Sequence, residues 1–431
     1  MKLRKKRMVL VVALVLSSTA TACGHDDVSG NKGVINMTWS TWGNPGELKR
    51  FFQLTDDYNR THPHVHWTLI PVPANGYLQK IQTELVAGNA PDVFYMGDGD
   101  MSTYVKDHVL VNLTPLLGTG PYPHKISDWP SGVWGAAKQG KNVYGLPPDI
   151  NPMVMYFNKT VLAKAGVKTS PSQLYKEGKW NWKTFQLICS KVKATGKYGY
   201  IVDNAWNTTY SWVSANGGQV YDSQGNFIAN KNSKAIQAFE YLQRNIKNGN
   251  FVYSGSLPKG QGDDAMFMSQ QAAFVAAGRW LAPEFNADKE LNYDIVPWPT
   301  NTGNKNEPAG IAAAYVGINK PTKNVKLAWD FVDYFCSAPG VKFRLSNGGN
   351  AVPALSHGAD QVVSEGKPAH AEFWLQGRNT GFAIPKAETK IPGVSLVITQ
   401  DLDLAFLGKQ DIKTTLNQVA ADIQRAKQNN Y

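Results

Sequence analysis

Short, nearly unbroken apolar runs recur along the chain, as in APDVFYMG, MVMYFN, AAFVAAG and IAAAYVGI. Runs of this length without polar alternation predict strands buried on both faces, which requires a sheet covered by helices on each side. The intervening segments supply those helices. Glu47 to Arg60 carries Leu48, Phe51, Phe52, Leu54, Thr55 and Tyr58 at helical spacing, and Tyr77 to Gly88 reads as a helix closed by its glycine. WKTFQLICSKVKATG, SKAIQAFEYLQRNIKNG (Ile236, Phe239, Leu242 and Ile246 inward) and VKLAWDFVDYFC follow the same pattern. Further strands are predicted at Val34 to Trp39, at HVHWTLIPV with Val65, Trp67 and Leu69 on one face, at YGYIV and at YDIVPWP. Strand, helix, strand, helix in this order implies parallel sheets with right-handed crossovers. At 431 residues the chain exceeds one ordinary core, and two α/β lobes fit the count of elements better than one large sheet.

The amino terminus reads as an address. Lys2, Arg4, Lys5, Lys6 and Arg7 precede an apolar run, Met8 to Leu16, that is too short to span a bilayer, and small residues then lead to Cys23. This resembles a bacterial lipoprotein signal, cut before a cysteine that is then lipidated. The usual Leu three places before that cysteine is Ala20 here, and the alternative is ordinary secretory cleavage. Residues 1–22 are thus expected to be a signal peptide and 23–33 a lipidated flexible tether, with two acyl chains on Cys23 sufficient for stable anchoring. No later segment is apolar enough to cross the membrane. Losing the first 22 residues removes five cations and no acids, lowering the formal charge from +11 to +6, without any basic block in the mature part. That argues against nucleic-acid binding. Cys189 and Cys336 lie in amphipathic helical patterns, where two buried thiols are a better reading than a disulfide.

Five stretches in order carry a resemblance: GNAPDVFYMGDGD, VYGLPPDINPMVMYFNKTVLAKAGV, ANGGQVYD, AMFMSQQAAFVAAGRW and IAAAYVGINKPTKNVKLAWDFVDYFCS. Together they resemble the extracellular solute-binding proteins of ABC importers, in the family of maltose-binding and other sugar-binding proteins. The resemblance implies a type II periplasmic-binding-protein-like fold of two discontinuous α/β lobes joined by a hinge, 34–149 with 311–352 and 152–308 with 355–431. It further implies capture of a carbohydrate, in oligosaccharide form, and delivery to permease subunits, by a monomer without cofactor or metal, tethered outside a Gram-positive cell. Alternatives are a same-fold receptor for a glycerophosphodiester, peptide or other polar solute, and a secreted glycoside hydrolase.

A sugar presents apolar ring faces and a rim of hydroxyls, so its receptor needs flat aromatic plates and edge-on Asp, Asn, Glu or Arg. In open α/β sheets ligands sit beyond the carboxyl ends of the strands. There NMTWSTWGNPGEL sets Trp39 toward the core and Trp42, beside Asn44, in the following turn. Asp98 and Asp100 end the third strand in a loop that matches a ligand-contacting loop of the family, and Asn151, with Asp149, stands at the first crossing. From the other lobe come Trp206, Asn207, Arg279, Trp280 and Trp298, with Trp280 in the place where the family carries a stacking aromatic; Tyr77 is a weaker candidate.

Other signals are discounted. His62, His64 and His66 fall on the face opposite Val65, Trp67 and Leu69 and read as solvated. GQGDDA spells a dinucleotide fingerprint but follows a loop, so Asp263 and Asp264 are expected to cap a helix. Asp401 and Asp403 have no acid and nucleophile constellation around them.

Overall fold

The computed structural model describes residues 33–258, 261–391 and 393–429. The expected signal peptide and Cys23 lie outside the described residues. The strands are β1 Ile35–Thr41, β2 Val65–Pro71, β3 Val93–Gly97, β4 Lys138–Gln139, β5 Asn142–Val143, β6 Asp149–Pro152, β7 Val154–Asn158, β8 Tyr198–Val202, β9 Phe251–Tyr253, β10 Ala272–Ala277, β11 Tyr293–Val296, β12 Ile311–Ile318 and β13 Val352–Pro353. They form a six-stranded sheet ordered β13-β6-β12-β3-β1-β2, a five-stranded sheet ordered β11-β7-β10-β8-β9, and a small β4-β5 hairpin. The fold is a mixed α/β architecture built on two sheets.

Helix and strand periods match the sequence closely. Val65, Trp67 and Leu69 point inward from β2 while His64 and His66 are exposed. Gly88 closes the helix Tyr77–Ala87 at φ +73°, a conformation that favours glycine. Asp263 and Asp264 sit in the first turn of the helix Asp263–Met268, whose N-cap is Gly262, so neither takes the capping position expected of it. Cys189 and Cys336 are free, buried thiols.

Strand direction is less uniform than the apolar runs suggest. β1 pairs parallel with β2 and β3, and β8 pairs parallel with β9 and β10, but β12 and β7 run against their neighbours. The reason is connectivity. β6 ends at Pro152 and β7 begins at Val154, so the chain passes from one sheet to the other through Met153 alone. A strand entering a sheet at the edge where the parallel strands finish must run backwards, and the same holds for β12 after β11. The carboxyl ends of β1, β3, β6, β8, β10 and β11 therefore all face the crossings. The helix Glu372–Thr380 packs on β6, β13 and β7, and so touches both sheets.

Candidate functional site

The thirteen tryptophans sort cleanly: ten are buried, and only Trp42, Trp206 and Trp280 are half-buried. Each of the three lies just past the carboxyl end of a strand, β1, β8 and β10 respectively. Trp39 answers for the core. It is fully buried, with its indole N–H on Thr55 Oγ1 at 3.0 Å. Trp42 lies edge-on to Tyr77 and Tyr95, with ring centroids 4.9 and 5.5 Å away. Those two rings fix its attitude while leaving part of it uncovered. Tyr77 itself is buried, and its hydroxyl donates to the carbonyls of Ser40 and Tyr95.

Trp280 is the middle residue of the short 3₁₀ turn Arg279–Leu281, which follows Gly278. A Cβ on Gly278 would lie 2.3 Å from the Trp280 ring and 2.5 Å from Asn151 Cβ, so glycine is what lets the indole of one sheet's loop approach the amide of the other sheet. Asn151 pairs with Ala312 across β6 and β12, and Ala313 N–H donates to Asp98 Oδ2 at 3.2 Å. On the far side, a Cβ on Gly310 would collide with the main chain of Asn207, while Trp206 stands 6.3 Å from Phe382. These contacts link Asp98, Asn151, Trp280, Trp206 and Asn207 into one neighbourhood around the crossings. The side-chain carbonyl oxygens of Asn151 and Asn207 are buried without a hydrogen-bond partner among the described residues. Each is an acceptor that a donor hydroxyl would satisfy, and buried acceptors are costly to leave unpaired.

Burial raises the carboxyls here. Burial pushes the Asp98 carboxyl up to about 7, and the nearby Asp100 and Glu388 carboxylates add to the rise against the main-chain N–H groups of Ala313 and Gly99. Burial also raises Asp100, which occupies the N-cap position of the helix Met101–Lys106 without a capping bond from its side chain. Asp203 follows β8 directly and is likewise pushed to about 7 by burial, although Thr208 and the Ala205 N–H donate to it. Such groups can accept from a hydroxyl or, when protonated, donate to one.

Three of the expected contacts are engaged within the protein itself. Asn44 is the N-cap of the helix Pro45–Thr61: its Oδ1 accepts from Glu47 N–H at 2.9 Å and its own N–H donates to Glu47 Oε2 at 3.1 Å. Arg279 is 3% exposed, donates to the carbonyls of Ala351 and Val362 at 2.7 Å each, and lies over Trp374. Burial lowers its pKa to about 10, so it remains a cation held by carbonyl dipoles and an indole face. Trp298 is 2% exposed, with its N–H on Met153 O at 3.1 Å and its ring edge-on to Trp212 at 5.2 Å; it braces the first crossing from within the core.

Two groups escape a local reading of the sequence. Asp203 gave no motif, although its place one residue past a buried strand was available as a signal. Glu388 is 1% exposed and accepts from Tyr210, Tyr221 and Ser395, a set of partners that no local pattern reveals. No group of three or more His, Cys, Asp or Glu among the described residues could hold a metal ion.

Comparison with known proteins agrees with this geometry. The profile of the family described as bacterial extracellular solute-binding protein matches residues 44–342. The arabinooligosaccharide-binding protein of Bacillus subtilis is 25% identical, over 75% of this chain and 74% of its own length. A maltooligosaccharide ABC transporter solute-binding lipoprotein of Streptococcus pneumoniae is 26% identical, with 96% of both chains covered. Among solved structures, an ABC substrate-binding protein of Listeria monocytogenes in complex with cycloalternan superposes with a TM-score of 0.80 at 19% identity, over 91% of this chain and 99% of that one. The chain belongs to the bacterial extracellular solute-binding protein family.

Proposed function

We propose that this protein is the capture component of an ABC importer, binding a carbohydrate, in oligosaccharide form, between two lobes and handing it to the permease without chemical turnover. The observation that carries the reading is the sorting of the tryptophans: the three that stay half-buried stand at strand ends facing the crossings, from both sheets. Half-covered indoles suit sugar faces, and Asp98, Asp100, Asn151, Asn207 and Asp203 suit the hydroxyl rim. Relatives that bear oligosaccharide names support the same ligand class. The one cation among the expected contacts, Arg279, is engaged by carbonyls, which disfavours a phosphodiester as ligand.

The lobes in this reading are 34–149 with 311–352, built on the first sheet, and 152–308 with 355–431, built on the second. Segment 149–152 belongs to the first sheet as β6 and marks the hinge. Ligand contacts made to both lobes only when they meet would favour the closed population by their differential affinity. Acylation of Cys23 would hold the monomer at the outer face of a Gram-positive membrane. A thermal-shift screen of the mature protein against arabino-, malto- and galacto-oligosaccharides, glycerophosphodiesters and peptides tests the ligand class. Stabilisation by at least one oligosaccharide and by no phosphodiester or peptide is expected; the reverse pattern overturns it.

A further inference from the structure

We infer that Glu388 and Thr389 form a clasp that registers the loop bearing Asp98 and Asp100 against the helix bearing Trp206 and Asn207, making both residues positioning residues for ligand capture. The inference rests on the reading of this edge as a binding crevice, but its geometry is independent of the ligand. Glu388 is buried on the short helix Lys386–Thr389, and its two oxygens collect three hydroxyls from separate elements. Tyr210 donates to Oε2 at 2.7 Å and Tyr221 at 3.3 Å, while Ser395 donates to Oε1 at 2.7 Å. Tyr210 lies one helical turn after Trp206 on the helix Trp206–Ala215, so this carboxyl fixes the helix that presents the second-sheet indole.

The next residue reaches the other way. Thr389 Oγ1 and Ser102 Oγ are hydrogen-bonded at 2.6 Å, both buried, across 287 positions of sequence. Ser102 is the second residue of the helix Met101–Lys106, which begins immediately after Asp100. The same segment is held to the first-sheet side once more, by Lys386 Nζ donating to Lys138 O, and a few residues upstream Gly381 passes so close to Gly132 that a Cβ there would fall on its carbonyl oxygen. One dipeptide thus links two halves of the site whose residues are otherwise carried by different sheets. A side chain that binds three hydroxyls on one side and sits next to a buried hydroxyl pair on the other transmits displacement of either half to its opposite.

The test is hydrogen–deuterium exchange on the ligand-free mature protein, comparing wild type with Thr389→Val, Ser102→Ala, the double variant and Thr389→Ser. For Thr389→Val the clasp predicts severalfold faster exchange in both 97–106 and 206–215, with the helix Val325–Cys336 unchanged. Ser102→Ala should do the same, the double variant should go no further than either single one, and Thr389→Ser, which keeps the hydroxyl, should restore wild-type rates. Acceleration confined to 386–395, or additive effects of the two single variants, would overturn the clasp. Because no sugar enters the experiment, failure of the carbohydrate reading leaves its outcome unaffected.

Discussion

Trp280 and Trp298 each follow a strand of the second sheet by a few residues, yet one is half-buried and the other fully packed. The difference lies in what each meets. Gly278 clears a space for Trp280 beside Asn151, whereas Trp298 finds a carbonyl for its N–H and an indole for its ring within the core. Trp280→Ala should therefore weaken oligosaccharide binding at least about tenfold, roughly the 1.4 kcal/mol that a lost stacking ring and its buried area supply, with Tm nearly unchanged. Trp298→Ala should instead cost about 3–5 kcal/mol of stability through the cavity it leaves. Calorimetry and thermal melts separate the two, and equal affinity loss with equal destabilisation would refute the distinction. Asp98 makes a pH prediction. Its folded value of about 7 lies above the ordinary 3.8, so the folded state holds the proton more tightly between the two. Its contribution to stability is full below about pH 4 and lost as pH rises through 7. Melting temperature should fall between pH 5 and pH 8, and Asp98→Asn should flatten part of that fall; an unchanged slope would contradict the assignment.

At the scale of elements, apolar runs and helical periods were legible because burial on a sheet writes itself into consecutive residues. β8 and β12 and the helix Val325–Cys336 begin and end where the sequence places them. Strand direction was not legible, since an apolar run reads alike in both senses; only the passage through Met153 makes β7 antiparallel to β10. Asn44 shows a second limit. Asn followed by Pro, Gly and Glu before an amphipathic run is a capping box, and that local reading outweighs the ligand contact expected from its neighbour Trp42. Asn44→Ala should cost about 1 kcal/mol of stability and leave sugar affinity alone, as melts and calorimetry on one preparation would reveal. A matching loss of affinity would return Asn44 to the site. Lys386–Thr389 was illegible for the opposite reason: its sequence, IPKAETK, has no period, and its partners Tyr210 and Ser102 are 178 and 287 positions away.

At the scale of the whole molecule, two sheets meet through crossing segments, and the half-buried indoles lie past the ends of β1, β8 and β10, which face those crossings. Trp42, Trp206 and Trp280 each stand a few residues past a strand, as the sequence places them, although Trp206 opens the helix Trp206–Ala215 instead of lying in a loop. The engagement of Arg279 was not legible in the sequence, because its acceptors, Ala351 and Val362, are 72 and 83 positions away. In the proposed reading each lobe takes a share of one ligand, so binding and closure would be a single event. The most direct test is a crystal structure of the mature protein with the oligosaccharide that stabilises it most in the thermal screen. Indoles of Trp280 and Trp42, from separate sheets, are predicted to lie on faces of the same bound chain, with Asp98 at its hydroxyl rim. A sugar seated away from the crossings, or touched by residues of one sheet alone, would contradict the account.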